Sequence, residues 1–145
     1  MAQVEKTVLV MHSCEQMFAL VDDVNSYPTF LPWCGGVDIQ EQTDIITQAT
    51  LHISYHGIKQ NFTTRNSKQY PHHMDIELTN GPFKHMQGHW HFIALREDAC
   101  KIEFKLNYEF ANTLLEKMIS PVFSHIANTF VDSFVLQANK IYTST

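Results

Sequence analysis

The chain has 145 residues, of which 44% are hydrophobic and 17% are charged. This length suits one domain with one core, and this share of apolar residues excludes a disordered chain. The formal net charge of −5 argues against a globally basic nucleic-acid-binding protein, although a local basic patch can still form.

The first predicted elements are a strand near residues 3–11 and one or two short helices after it. Ser13 and Gln16 match a capping box, and apolar residues follow them at helical spacing. Pro28 and Pro32 then interrupt the chain before the next strand.

About six antiparallel strands are predicted between residues 35 and 110. The clearest runs from Cys100 to Phe110, where apolar and polar residues alternate without exception. Turn signals separate the strands at Gly35-Gly36, Gly57, Tyr70-Pro71, Asn80-Gly81-Pro82 and Glu97-Asp98. Such short connections are typical of a meander.

The hydrophobic period changes to that of a helix after Phe110. Thr113 and Glu116 match a second capping box, and a broad apolar face continues to Ile141. Because proline lacks an amide hydrogen, Pro121 predicts a short helix, a kink or break, and then a helix of about 20 residues.

Together these elements predict an α+β fold in which a curved antiparallel sheet of about seven strands wraps around the long C-terminal helix. Seven strands about 4.8 Å apart span about 30 Å, whereas a helix is about 10–12 Å thick. The sheet must therefore curl, and the two short helices must close one side. The space that remains is lined by aromatic side chains, which either hold a small molecule or simply fill the core.

Residues 23–34 (DVNSYPTFLPWC) resemble the D-V-x-x-Y-P-x-F-L-P-x-C segment of the ribosome association toxin RatA and coenzyme Q-binding START-domain family. Further stretches that agree are Phe62-Thr63-Thr64-Arg65-Asn66, Gly81-Pro82-Phe83-Lys84 with Gly88, Trp90 and Phe92, and Cys100 with Ile102-Glu103-Phe104 and Phe110. The resemblance covers nearly the whole chain and implies the helix-grip fold, also called START-like or polyketide cyclase-like. Trp33 and Pro121 depart from the family pattern.

The same resemblance implies that the protein binds an apolar ligand, ubiquinone or a related isoprenoid lipid, without catalysis and in support of respiratory electron transport. Ligand exchange would need transient membrane contact, and the segment from Tyr27 to Trp33 is the candidate lid. The residues that we expect to contact the ligand are large and mostly aromatic: Tyr27, Phe30, Leu31, Trp33, Tyr55, Phe62, Trp90, Phe92, Phe104, Tyr108, Phe123, Phe130 and Phe134.

Neither an enzyme nor a metal site is predicted. The sequence has no nucleophile elbow, phosphate-binding glycine loop or dinucleotide-binding motif, and the assigned inward positions carry hydroxyl groups but no charge. His89 and His91 share a strand face, but no third ligand is spaced to complete a zinc site. We therefore expect no catalytic residues, no metal and no cofactor.

The alternative is a toxin of the RatA type, which the resemblance implies would bind the large ribosomal subunit, block subunit association and so inhibit translation. Residues 45–74 contain no Asp or Glu, so Lys59, Arg65 and Lys68 would form a positive stripe on the outer face of the sheet. Such a stripe contacts RNA phosphates without reading bases. We expect no DNA binding.

The cysteines and the lengths of the apolar stretches indicate the cellular compartment. Cys14, Cys34 and Cys100 are odd in number and lack a C-x-x-C spacing, which favours reduced thiols. The apolar run near the N-terminus is too short for a signal peptide, and no stretch approaches the roughly 18 apolar residues of a membrane-spanning helix. We therefore expect a soluble, cytoplasmic protein with one domain over residues 1–145.

Overall fold

The computed structural model describes residues 2–142. Their strands are β1 (Ala2–Val10), β2 (Cys34–Gln42), β3 (Ile46–Tyr55), β4 (Ile58–Gln69), β5 (His73–Asn80), β6 (Phe83–Arg96) and β7 (Ala99–Phe110). Their α-helices are α1 (Cys14–Asp22), α2 (Tyr27–Phe30) and α3 (Thr113–Ile141), and a short 3-10 helix at Val24–Ser26 joins the first two.

The seven strands form one antiparallel sheet in the order β1-β7-β6-β5-β4-β3-β2. Strands β2 to β7 each lie beside the next in the chain, and β1 pairs with β7, so β1 and β2 are the two edges. Two short helices separate the first two strands and a long helix ends the chain, which confirms the predicted helix-grip fold.

Helix α1 begins as predicted. The Ser13 hydroxyl accepts a hydrogen bond from the backbone N–H of Gln16 at 3.1 Å, and the Gln16 side chain accepts one from the backbone N–H of Ser13 at 3.1 Å. This capping box satisfies two backbone donors at the start of the helix. The Sγ atoms of Cys14 in α1 and Cys100 in β7 lie 2.8 Å apart as free, buried thiols.

Helix α3 differs from the prediction at two points. It runs without interruption over 29 residues, so of the predicted kink or break at Pro121 the break is wrong. Pro121 and Lys117, whose carbonyl loses its helical partner, are both exposed, and water can hydrogen-bond that carbonyl. The N-cap is Asn112 rather than Thr113, because the Asn112 Oδ1 accepts from the backbone N–H of Leu115 at 2.9 Å.

One predicted turn is also wrong, whereas another is confirmed. Gly35 and Gly36 lie inside β2, where a bulge between Cys34 and Gly36 shifts the pairing with β3. The turn at Gly57 joins β3 to β4, and both His56 (φ 50°) and Gly57 (φ 80°) have the positive φ that a tight hairpin requires.

The core lies between the inner face of the sheet and α3. Alternate residues of β7 from Cys100 to Tyr108 are buried, and α3 meets them with a buried face that includes Ile119 and Phe134. Within residues 2–142, none of the helices combines the length and the apolar character that crossing a membrane requires.

Candidate functional site

An internal cavity of about 70 Å³ lies between the inner face of the sheet and α3. Seven of the predicted ligand residues line it: Tyr27, Trp33, Phe62, Trp90, Phe104, Phe123 and Phe130. The lining also includes Asn66, Met74 and Met86, which the sequence analysis missed. The space predicted from the widths of the sheet and the helix therefore exists, and its wall is mostly apolar.

The other six predicted ligand residues do not border this cavity: Phe30, Leu31, Tyr55, Phe92, Tyr108 and Phe134. Each is held by neighbouring core or rim residues instead. Phe92 and Phe134 are fully buried against Trp90, at centroid distances of 5.9 and 5.4 Å. Tyr55 stacks on His125 of α3 at 5.9 Å. Such rings fill space or cover the core rather than face the cavity.

The cavity is small because aromatic rings from both layers interlock. Phe130 of α3 reaches Trp90 and Phe104 of the sheet at centroid distances of 5.7 Å each, and Phe134 at 5.0 Å. Pockets that hold drug-sized ligands measure about 300–1,000 Å³, and a cavity known to bind benzene measures about 150 Å³. A volume of about 70 Å³ holds a few waters, so a larger ligand requires side chains to move.

Two polar atoms on residues that line the cavity, Nε1 of Trp33 and Oδ1 of Asn66, are buried and have no hydrogen-bond partner among residues 2–142. The Tyr27 hydroxyl, on another residue of the lining, donates to the carbonyl of Val21, and burial raises the pKa of Tyr27 well above its usual range. Asn66 could have been found from sequence, because it continues the alternation of Phe62 and Thr64 towards the interior.

The prediction that Lys68 lies on the outer face is wrong. Lys68 is in the inward-facing row of β4 that also contains Thr64 and Asn66, and it is only 5% exposed. Its Nζ lies 2.9 Å from Oδ1 of Asp22 at the end of α1, and the Thr47 hydroxyl donates to the same oxygen at 3.4 Å. This ion pair joins α1 to the sheet and leaves Lys68 unable to contact RNA.

The two other predicted RNA-contact residues, Lys59 and Arg65, do lie on the outer face of β4, but acidic residues surround Arg65. Its Nη1 lies 2.9 Å from Oε1 of Glu41 on β2, and Glu77 is its register partner on β5. Lys59 is exposed and has no ion-pair partner within residues 2–142. The outer face is therefore mixed in charge rather than a positive stripe.

Histidines gather further along the outer face. The ring of His73 lies 5.7 Å from both His89 and His91, and its Nε2 is 2.9 Å from Oδ1 of Asp75. In the part of the chain that the structure describes, no group of three or more His, Cys, Asp or Glu side chains is arranged to hold a metal ion.

Known proteins resemble this chain over nearly its whole length. It is 42% identical to the ribosome association toxin RatA of Escherichia coli K12, over 99% of this chain and 91% of that protein. It is 28% identical to the mitochondrial coenzyme Q-binding protein COQ10 homolog B of Xenopus laevis, over 90% of this chain and 55% of that protein. Among solved structures, the Zhui aromatase/cyclase of Streptomyces sp. R1128 superposes with a TM-score of 0.85 at 16% identity, covering 99% of this chain and 96% of that one.

The likeness to the aromatase/cyclase shows the fold alone, because the sequence identity is low. The family described as polyketide cyclase / dehydrase and lipid transport matches residues 10–135. The chain therefore belongs to this family, as one of its RatA-like members.

Proposed function

We propose that the protein is a non-catalytic binding protein that associates with the ribosome through its large subunit. The name of its RatA relatives indicates ribosome association for them. The observation that carries the proposal is the packed interior. Because the cavity measures only about 70 Å³, a large partner must bind at the outer surface. The 42% identity to RatA over nearly the whole chain supports the same choice. This function implies a cytoplasmic location.

The outer face of β4, defined by Lys59, Asn61 and Arg65, is the surface that we propose for contact with ribosomal RNA. Lys59 is exposed and unneutralised within residues 2–142. Arg65 has five N–H donors, of which Glu41 and Gln48 engage only one nitrogen. The remaining donors can meet a phosphate, and such contacts weaken as salt rises.

The test is co-sedimentation with ribosomal subunits at low and moderate salt. The variant Lys59→Glu/Arg65→Glu should lose the association, because it places two negative charges where two phosphates would lie. The matched control is Lys117→Glu/Lys140→Glu, which makes the same charge change at exposed positions of α3. Unchanged association in the first variant rejects the β4 outer face, and no association of the native protein rejects the function.

A second function, the binding of an apolar ligand such as an isoprenoid quinone, is favoured by the apolar lining and by the two unpaired polar atoms. The similarity to a coenzyme Q-binding protein supports it at the level of the family. Organic extraction of the purified protein, followed by mass spectrometry, should recover a quinone or lipid. No extracted ligand, together with no binding of added quinone, would remove this function. The two functions use different surfaces and are compatible.

A further inference from the structure

The unpaired atoms of Trp33 and Asn66 call for an explanation. About nine in ten buried polar groups in proteins have a hydrogen-bond partner, yet these two line one cavity and have none. Trp33 is 3% exposed, so bulk water does not reach its indole. A polar guest inside the cavity would supply the missing partners.

The two atoms require opposite partners. An indole N–H only donates a hydrogen bond, and an amide oxygen only accepts one. The Asn66 Nδ2 donates to Sδ of Met74 at 3.9 Å, which leaves Oδ1 as the unpaired atom of that amide. A hydroxyl both accepts and donates, whereas a carbonyl or an ether only accepts and would leave Asn66 unpaired.

We propose that the cavity selects a ring that carries a hydroxyl, a phenol or quinol, over the corresponding ether or quinone. Trp33 donates to the hydroxyl oxygen, and the hydroxyl donates to Asn66. The aromatic walls, including Trp90 and Phe104, supply faces against which such a ring packs. This inference rests on the apolar-ligand function proposed above and names the class of ligand.

Two methionines provide the room that a ring requires. Met74 and Met86 line the cavity, and their unbranched side chains adapt readily to irregular spaces. Met86 also lines an outer cleft of about 310 Å³ near the ends of β5 and β6, whose pairing stops at Glu77 and Gln87. A change of the Met86 rotamer would therefore enlarge the cavity and open it towards this cleft.

The test compares three ligands of similar size by calorimetric titration or NMR: 4-methylphenol, 4-methylanisole and p-xylene. The phenol should bind about tenfold more tightly than the ether, because it makes one additional hydrogen bond to a buried group. Equal binding of all three would overturn the selection but leave the apolar site intact. No binding of any would overturn the ligand function as well. A short-chain ubiquinone that binds more tightly when oxidised than when reduced would also overturn the selection.

Variants assign the two hydrogen bonds separately. Trp33→Phe should weaken the binding of 4-methylphenol and of 4-methylanisole to the same extent, since both accept a hydrogen bond from the indole. Asn66→Leu should weaken the binding of the phenol alone, so that its affinity falls to that of the ether. Asn128→Leu, the same change at an exposed position of α3 that does not line the cavity, is the matched control and should change nothing. Unchanged binding of p-xylene shows that each variant keeps its cavity, and a phenol affinity that survives Asn66→Leu rejects the proposal.

Discussion

At the scale of single residues, the ion pair between Lys68 and Asp22 is asymmetric. The Lys68 side chain is 2% exposed, whereas that of Asp22 is 28% exposed. A buried ammonium that loses its counter-charge cannot recover its hydration, but a partly exposed carboxylate can. Breaking the pair is therefore more costly when it leaves Lys68 without a partner than when it leaves Asp22 without one.

Asp22→Asn should destabilise the fold by about 3 kcal/mol, because it leaves the Lys68 ammonium buried without a negative partner. Lys68→Met should cost less, about 1 kcal/mol, because water can solvate the remaining carboxylate. Urea denaturation measures both free energies of unfolding. The double variant should be more stable than Asp22→Asn alone, and equal losses in the two single variants would contradict this account.

At the scale of secondary-structure elements, Pro121 is tolerated because it lies on the exposed face of a long, well-anchored helix. Proline in a helix interior costs about 3 kcal/mol relative to alanine. The apolar face of α3 is packed against the sheet on both sides of this position, through Ile119 and Phe123. This packing keeps the helix continuous despite the missing hydrogen bond.

Pro121→Ala should therefore stabilise the protein by about 1–3 kcal/mol, since it restores the bond to the Lys117 carbonyl. Thermal and urea unfolding would show the gain. Lys117→Ala, an exposed change one turn earlier, should leave the stability nearly unchanged. No gain in Pro121→Ala would mean that the helix is strained elsewhere.

The pairing of β6 with β7 depends on Gly88. A Cβ atom at this position would lie 2.3 Å from the backbone oxygen of Lys105, so the strands would have to separate. Gly88→Ala should cost about 2–4 kcal/mol in the free energy of unfolding. The control is Gly36→Ala, whose Cβ would meet only Cδ2 of His52 at an ordinary 3.6 Å. Comparable losses at both glycines would contradict the steric explanation.

At the scale of the whole molecule, burial changes the response of the fold to alkaline pH. It raises the pKa values of Tyr108 and Cys34 above their ordinary values, which are about 10 and 8.5. Above those values the unfolded chain loses protons that the folded chain retains. Stability should therefore be maintained below about pH 8.5 and fall as the pH rises further.

Urea midpoints measured between pH 7 and pH 11 would test this expectation. Tyr108→Phe removes one of the groups and should make the alkaline decline shallower, whereas Tyr70→Phe, at a tyrosine that is 61% exposed, should not. An identical slope in the native protein and in Tyr108→Phe would show that Tyr108 does not contribute.

The sequence predicted those features of the fold that arise from neighbouring residues. The alternation from Cys100 to Phe110 indicated a strand with one buried face, and Ser13 with Gln16 indicated the start of α1; the structure has both. Alternation in other strands placed Phe62 and Trp90 in the interior, where they line the cavity. Period and capping are local properties, so one chain is enough to detect them.

Charge on the outer face and room in the interior were decided only by the tertiary structure. The acid-free segment of residues 45–74 looked positive, but Glu77 of the neighbouring β5 and Glu41 of β2, on the far side of β3, come beside Arg65. Phe130 and Phe134, far along the chain from Trp90, reduce the space that element widths alone left open to a cavity of about 70 Å³. Strand register and ring packing bring together residues that are distant in sequence, and no local pattern records such neighbours.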